Sequence, residues 1–117
     1  MRYTYNKLVR DNIPQNINSG KGRKCKYKIL NDEEYLKELN KKIIEESYEF
    51  VEENSIEELG DLMEVINAIM NEKGYTTEQV NSTMSQKRDK KGSFSKKIYL
   101  EYVDEDNENE EEEKKNR

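Results

Sequence analysis

At 117 residues, with 32% hydrophobic and 40% charged side chains and a net charge of −5, the chain has room for one small domain and little apolar surface with which to close a core alone. Long amphipathic helices that finish burying their faces in a homo-oligomer, dimer or tetramer, fit that balance better than a monomeric core. A single cysteine, Cys25, rules out an internal disulfide and a multi-cysteine zinc site. No apolar run approaches the roughly eighteen residues of a membrane span. The opening "MRYTYNKLVRDN" lacks the apolar block of a signal peptide, so a cytoplasmic protein without membrane partners is expected.

Residues 1–28 are basic, with Arg2, Lys7, Arg10, Lys21, Arg23, Lys24, Lys26 and Lys28 against Asp11. Within them "VRDNIPQNINSGKGRK" carries Pro14 and two glycines, predicting a brief helical piece around 11–18 and then a loop. "KCKYKIL" alternates, with Cys25, Tyr27 and Ile29 on one face, and predicts a short strand over 24–30.

The first long helix is predicted over 32–53, capped by Asn31 or Asp32 and with acids in its first turn. Leu36, Leu39, Ile43, Ser47, Phe50 and Val51 fall on one side of it; Tyr48 and Phe50 are candidates to stack on a base, although aromatics at helical spacing are more often core. After Asn54 a second helix is predicted from Ser55 to about Lys73, with Gly74 as the stop, so the two must form an antiparallel hairpin. A third is predicted from Thr76 or Thr77 to about Lys90, with Thr76 as its cap.

Residues 86–97 are basic again, with Lys87, Arg88, Lys90, Lys91, Lys96 and Lys97 against Asp89. Beyond Gly92, "SKKIYLEYV" alternates and predicts a second short strand, 97–103, able to pair with 24–30 as a small ribbon. The expected domain is therefore residues 1–103. It is all-α, a helical hairpin completed into a four-helix type of bundle by oligomerisation. The acidic tail 104–117, without one apolar residue, is expected to be disordered.

The informative segment is "EESYEFVEENSIEELGDLMEV", residues 45–65, which holds nine carboxylates and no base. On a helical wheel with Glu45 at zero, Glu49, Glu53 and Glu46 lie near about 40°, 80° and 100°, abutting the apolar stripe at about 120° to 180°. With Glu58 at zero on the next helix, Val65, Ile69, Leu62 and Ile66 span about −20° to 80° and Asp61 sits near about −60°. Glu49 and Glu58 stand at nearly equal distances from Asn54, as do Glu46 and Asp61, so folding the hairpin brings four carboxylates together. Glu52, Glu53, Glu57 and Glu64 are expected to face solvent or the rim.

Burying even one ionised carboxylate without compensation costs several kcal/mol. With no histidine in the chain and no base in the segment, Mg²⁺ or Mn²⁺ is the most economical partner for an all-oxygen set. Lys7, Arg10 and Lys87 are alternative sources of positive charge.

At these residues the sequence resembles the MazG-like superfamily of all-α nucleoside triphosphate pyrophosphohydrolases, relatives of phosphoribosyl-ATP pyrophosphohydrolase. The shared motif is Glu45-Glu46-x-x-Glu49 with Glu58-x-x-Asp61; "YNKLVRDNIP" at 5–14 is similar to the opening of one branch of that superfamily. Lys87 followed by "KGSF" at 91–94 is similar to a lysine and R-G-x-F, with Lys91 where arginine is usual. The resemblance implies Mg²⁺-dependent hydrolysis of a nucleotide between its α- and β-phosphates, giving a monophosphate and pyrophosphate in a house-cleaning role. It implies Glu46, Glu49, Glu58 and Asp61 as metal ligands and Glu45 beside the nucleophilic water. Lys7, Arg10, Lys87 and Lys91 are the candidate phosphate contacts.

A non-catalytic helical module that binds nucleotide or protein is the competing reading. Nucleic-acid binding through the basic segments is disfavoured by the net charge and by the lack of a reader motif.

Overall fold

The computed structural model describes residues 1–106. Among them are four helices, α1 (Ile13–Asn18), α2 (Asp32–Glu53), α3 (Ile56–Lys73) and α4 (Thr77–Lys91), and no strand. The chain divides into two compact units, Met1–Ser82 and a second that starts at Thr83, with the boundary inside α4. None of the described helices is long and apolar enough to cross a membrane.

Capping chemistry sets the ends of the hairpin. At the start of α2, Asn31 Oδ1 accepts the Glu34 N–H at 2.9 Å and Glu34 Oε1 accepts the Asn31 N–H at 3.4 Å. This reciprocal box satisfies donors that a helix start otherwise leaves open. Asn54 ends α2 in the left-handed region, φ 51°, which asparagine tolerates far better than a branched side chain does. Its N–H bonds Phe50 O at 2.7 Å and its side-chain amide bonds Val51 O at 2.9 Å. Ser55 then caps α3 at once, its Oγ accepting the Glu58 N–H at 3.2 Å. A link of two residues forces the helices to fold back on each other, and α2 packs along α3. Gly74, φ 73°, terminates α3, and a second reciprocal box between Thr76 and Gln79 opens α4.

The hairpin core is thin. Leu39 and Val65 are its buried hydrophobic residues, flanked by half-buried Leu36, Ile43, Phe50, Leu62, Ile66 and Ile69. Val51 and Tyr48, expected inside, face out at 70% and 73% exposure. With Ile44 they form a second stripe on α2 at i, i+4 and i+7, and Ile56, Leu59 and Met63 form one on α3. Each helix thus carries an apolar face that the hairpin leaves uncovered. The α4 helix has no such face, and its residues from Asn81 onward are all exposed.

Neither expected strand forms, and local hydrogen bonding explains why. In 24–30, the Cys25 N–H is spent on Asn18 Oδ1 at 3.0 Å and its Sγ sits 3.8 Å from Pro14 O, which hitches the segment to α1. Tyr27 and Ile29 remain exposed. In 97–103, Lys97 lies at φ 59° and donates its N–H to Phe94 O in a turn, while Ile98, Leu100 and Tyr102 are exposed. A two-stranded ribbon with no apolar face to rest on is marginal in water. Of the tail, 104–106 is exposed and without regular structure, and the expectation for 107–117 lies outside the described residues.

Candidate metal centre in the acidic hairpin

The wheel positions of α2 and α3 decide which acids meet. Glu46 stands next to Leu39 on the core-facing side and is drawn in with it. At 8% exposure it is the one buried charged residue among those described. Its Oε2 has no hydrogen-bond partner, and neither has Oε2 of half-buried Glu58. Glu46, Glu58 and Asp61 each bring one carboxylate oxygen to a group lying within 4.8 Å of one another. Three of the four expected ligands are therefore assembled.

Glu49, the fourth, is exposed, yet its negative charge acts on both Glu46 and Glu58. Glu52, Glu53, Glu57 and Glu64 face outward.

Burial, and then neighbouring acids, raise the pKa of Glu46 and of Glu58. Burial is the largest cause for Glu46, followed by the negative charge of Glu49; Lys42 pulls the other way, and Asp61 and the Glu49 hydrogen bond add to the rise. Glu58 is raised by the loss of solvent around its carboxyl, then by Glu49, Asp61 and Glu53 and by its hydrogen bond to Glu49. The fold on its own thus favours holding protons on these carboxyls.

Three bases answer part of the charge. Arg10 Nη2 lies 2.7 Å from Asp61 Oδ1. Lys42 Nζ lies 3.4 Å from Glu45 and 3.8 Å from Glu46, and Lys7 Nζ lies 3.9 Å from Glu45. Glu49 and Glu58 have no basic partner among the described residues.

Lys42 is the functional-site residue that the sequence reading missed. The segment 45–65 has no base, but a lysine one turn earlier on the same face reaches Glu45 and Glu46 at i+3 and i+4, and that spacing was legible. Glu45 sits half-buried at the rim between Lys7 and Lys42. Lys87 and Lys91 are exposed on the part of α4 that belongs to the second unit. A groove of about 640 Å³ near the end of α3, lined by Asn67, Met70, Asn71 and Tyr75 among others, contains none of the clustered acids.

The donor set fits a hard cation. Octahedral ligands at about 2.1 Å stand about 3.0 Å apart in cis and about 4.2 Å in trans, so closing the Glu46, Glu58 and Asp61 triangle needs shifts of about an ångström or two, within rotamer reach. Carboxylates alone, without histidine or thiolate, are the donor chemistry of a hard divalent cation. No protein-family model matches the chain, and neither a curated protein nor a solved structure does.

Proposed function

We propose that the chain is a divalent-metal-dependent nucleotide pyrophosphohydrolase that hydrolyses a nucleoside triphosphate, or a related nucleotide, between its α- and β-phosphates. The observation that carries this reading is Glu46: a buried carboxylate with an unpartnered oxygen, facing Glu58 and Asp61 across the hairpin. Such a group is costly unless a cation completes it. The resemblance of Glu45-Glu46-x-x-Glu49 and Glu58-x-x-Asp61 to the MazG-like motif supplies the reaction class.

In this reading Glu46, Glu49, Glu58 and Asp61 hold Mg²⁺ or Mn²⁺, which when bound neutralises phosphate charge and makes water more acidic. Glu45, at the rim, orients the attacking water and takes its proton. The water oxygen bonds one phosphorus of the α–β anhydride, the bridging P–O bond breaks, and a monophosphate and pyrophosphate leave. Lys7 and Arg10, beside the acids, contact the phosphates, and Lys87 and Lys91 are assigned the same role from the motif. Lys42 keeps Glu45 and Glu46 in register from within α2.

The exposed stripes of Ile44, Tyr48 and Val51 and of Ile56, Leu59 and Met63 support a homo-oligomer in which hairpins complete a bundle. The test is pyrophosphate release from a panel of canonical and modified nucleoside triphosphates with Mg²⁺. The wild type should turn over at least one, and Glu49→Gln should lower kcat by about a hundredfold or more, the scale of a lost electrostatic contact to the reacting centre. Binding of a nucleotide without turnover would instead assign a non-catalytic module.

A further inference from the structure

We propose that Arg10 is an exchangeable counter-ion, seated on Asp61 while the centre holds no metal and released to a phosphate when a divalent cation takes Asp61. This rests on the metal-centre reading above, in which Glu46 is nine-tenths buried and its Oε2, unlike the Oε1 near Lys42, has no hydrogen-bond partner.

The two bases nearest the ligands are held differently. Lys42 is a fixture: it sits on the same helix as Glu45 and Glu46, at i+3 and i+4, with its side chain 17% exposed. Arg10 comes from the segment before α1, and its side chain is 59% exposed. Among the described residues its one side-chain bond is the 2.7 Å contact to Asp61, whose own side chain is 43% exposed. Its backbone is anchored, because Arg10 O accepts the Ile13 N–H at 3.1 Å in the turn leading into α1. A tethered backbone under a side chain held by that one contact makes a pivot.

A guanidinium carries five N–H donors in a planar fork that matches phosphate oxygens, and the Asp61 contact uses one nitrogen. Were Asp61 to take a dication, the Arg10 guanidinium would lose its screened ion pair with Asp61 and be repelled by the added charge. The displaced fork, still tethered beside the metal, is then available to a metal-bound phosphate. Arg10 in this scheme weakens binding of the free metal and strengthens binding of the metal–phosphate complex, so that the centre fills together with its substrate.

The test is Mn²⁺ titration of the full chain by calorimetry, without nucleotide, in wild type, Arg10→Gln, Arg10→Lys and Glu58→Gln. Arg10→Gln is expected to tighten Mn²⁺ by roughly two- to fivefold, the scale of an exposed ion pair. The same variant should weaken manganese pyrophosphate by about tenfold, as loss of a charge-assisted hydrogen bond would. Arg10→Lys, which keeps the charge, should bind Mn²⁺ as the wild type does. The exchange is overturned if Arg10→Gln leaves Mn²⁺ affinity unchanged or lower while Glu58→Gln reduces it, a result that keeps the metal centre. It is also overturned if Arg10→Lys tightens Mn²⁺ as much as Arg10→Gln. If Glu58→Gln has no effect on Mn²⁺ binding, the metal centre itself falls, and the exchange with it.

Discussion

Glu46 concentrates the chemistry of the hairpin in one side chain, because burial and neighbouring acids oppose its charge while Lys42 favours it. Its folded-state pKa is raised above the ordinary 4.5, so the metal-free fold holds this proton to higher pH than the unfolded chain does. Below that ordinary value both folded and unfolded chains are protonated and the contribution to stability is fully present. As pH climbs through the raised folded value, the fold must ionise the group and the contribution is lost. Glu46→Gln removes this liability. In EDTA its Tm should exceed that of the wild type by a margin that grows as pH rises from about 4.5. Mg²⁺ reverses the order: at a concentration a hundredfold above Kd it should stabilise the wild type by about 2.7 kcal/mol and Glu46→Gln by far less. Thermal melts of both proteins across pH, with and without Mg²⁺, check both signs. The grouping of Glu46, Glu58 and Asp61 was legible because helical phase and distance from Asn54 are simple geometry. Lys42 was less legible because it lies one turn before the base-free segment that starts at Glu45.

The helix α3 owes its start to Ser55, and Ser55 also fixes the first turn that carries Glu58. Asn31 caps α2 in an equivalent way but more than three turns from Glu46. Replacing either by alanine should cost about 1 kcal/mol of stability by denaturant unfolding. Only Ser55→Ala should also weaken Mg²⁺ binding, because only there does fraying loosen a ligand. Leu39→Ala, which empties the best-buried position on α2, should cost about 2–5 kcal/mol. Helix ends were readable to within a residue or so, since Asn31, Asn54, Ser55, Gly74 and Thr76 each have a local capping chemistry. The expected strands were not, because alternation in 24–30 and 97–103 describes an extended chain as well as a paired one. Nothing local reveals that Cys25 N–H goes to Asn18 or that Lys97 takes a positive φ.

For the molecule as a whole, the thin core and the uncovered stripes on α2 and α3 are the features on which the proposed homo-oligomer rests. Sedimentation should give a dimer or tetramer for the wild type, and Val51→Glu combined with Met63→Glu should shift it toward monomer with loss of stability. A monomeric wild type at high concentration would leave the stripes unexplained. The amphipathic pattern made these faces readable in part, whereas the unit boundary inside α4 is marked by no breaker at Ser82 or Thr83. The central claim is that a divalent cation supplies the positive charge that residues 45–65 lack. Crystals soaked in Mn²⁺ and measured for anomalous scattering test it most directly. The expected map has a peak bounded by the carboxylates of Glu46, Glu58 and Asp61, and Arg10 has left Asp61. A well-ordered hairpin with no peak there, its acids still paired to Arg10 and Lys42, would contradict it.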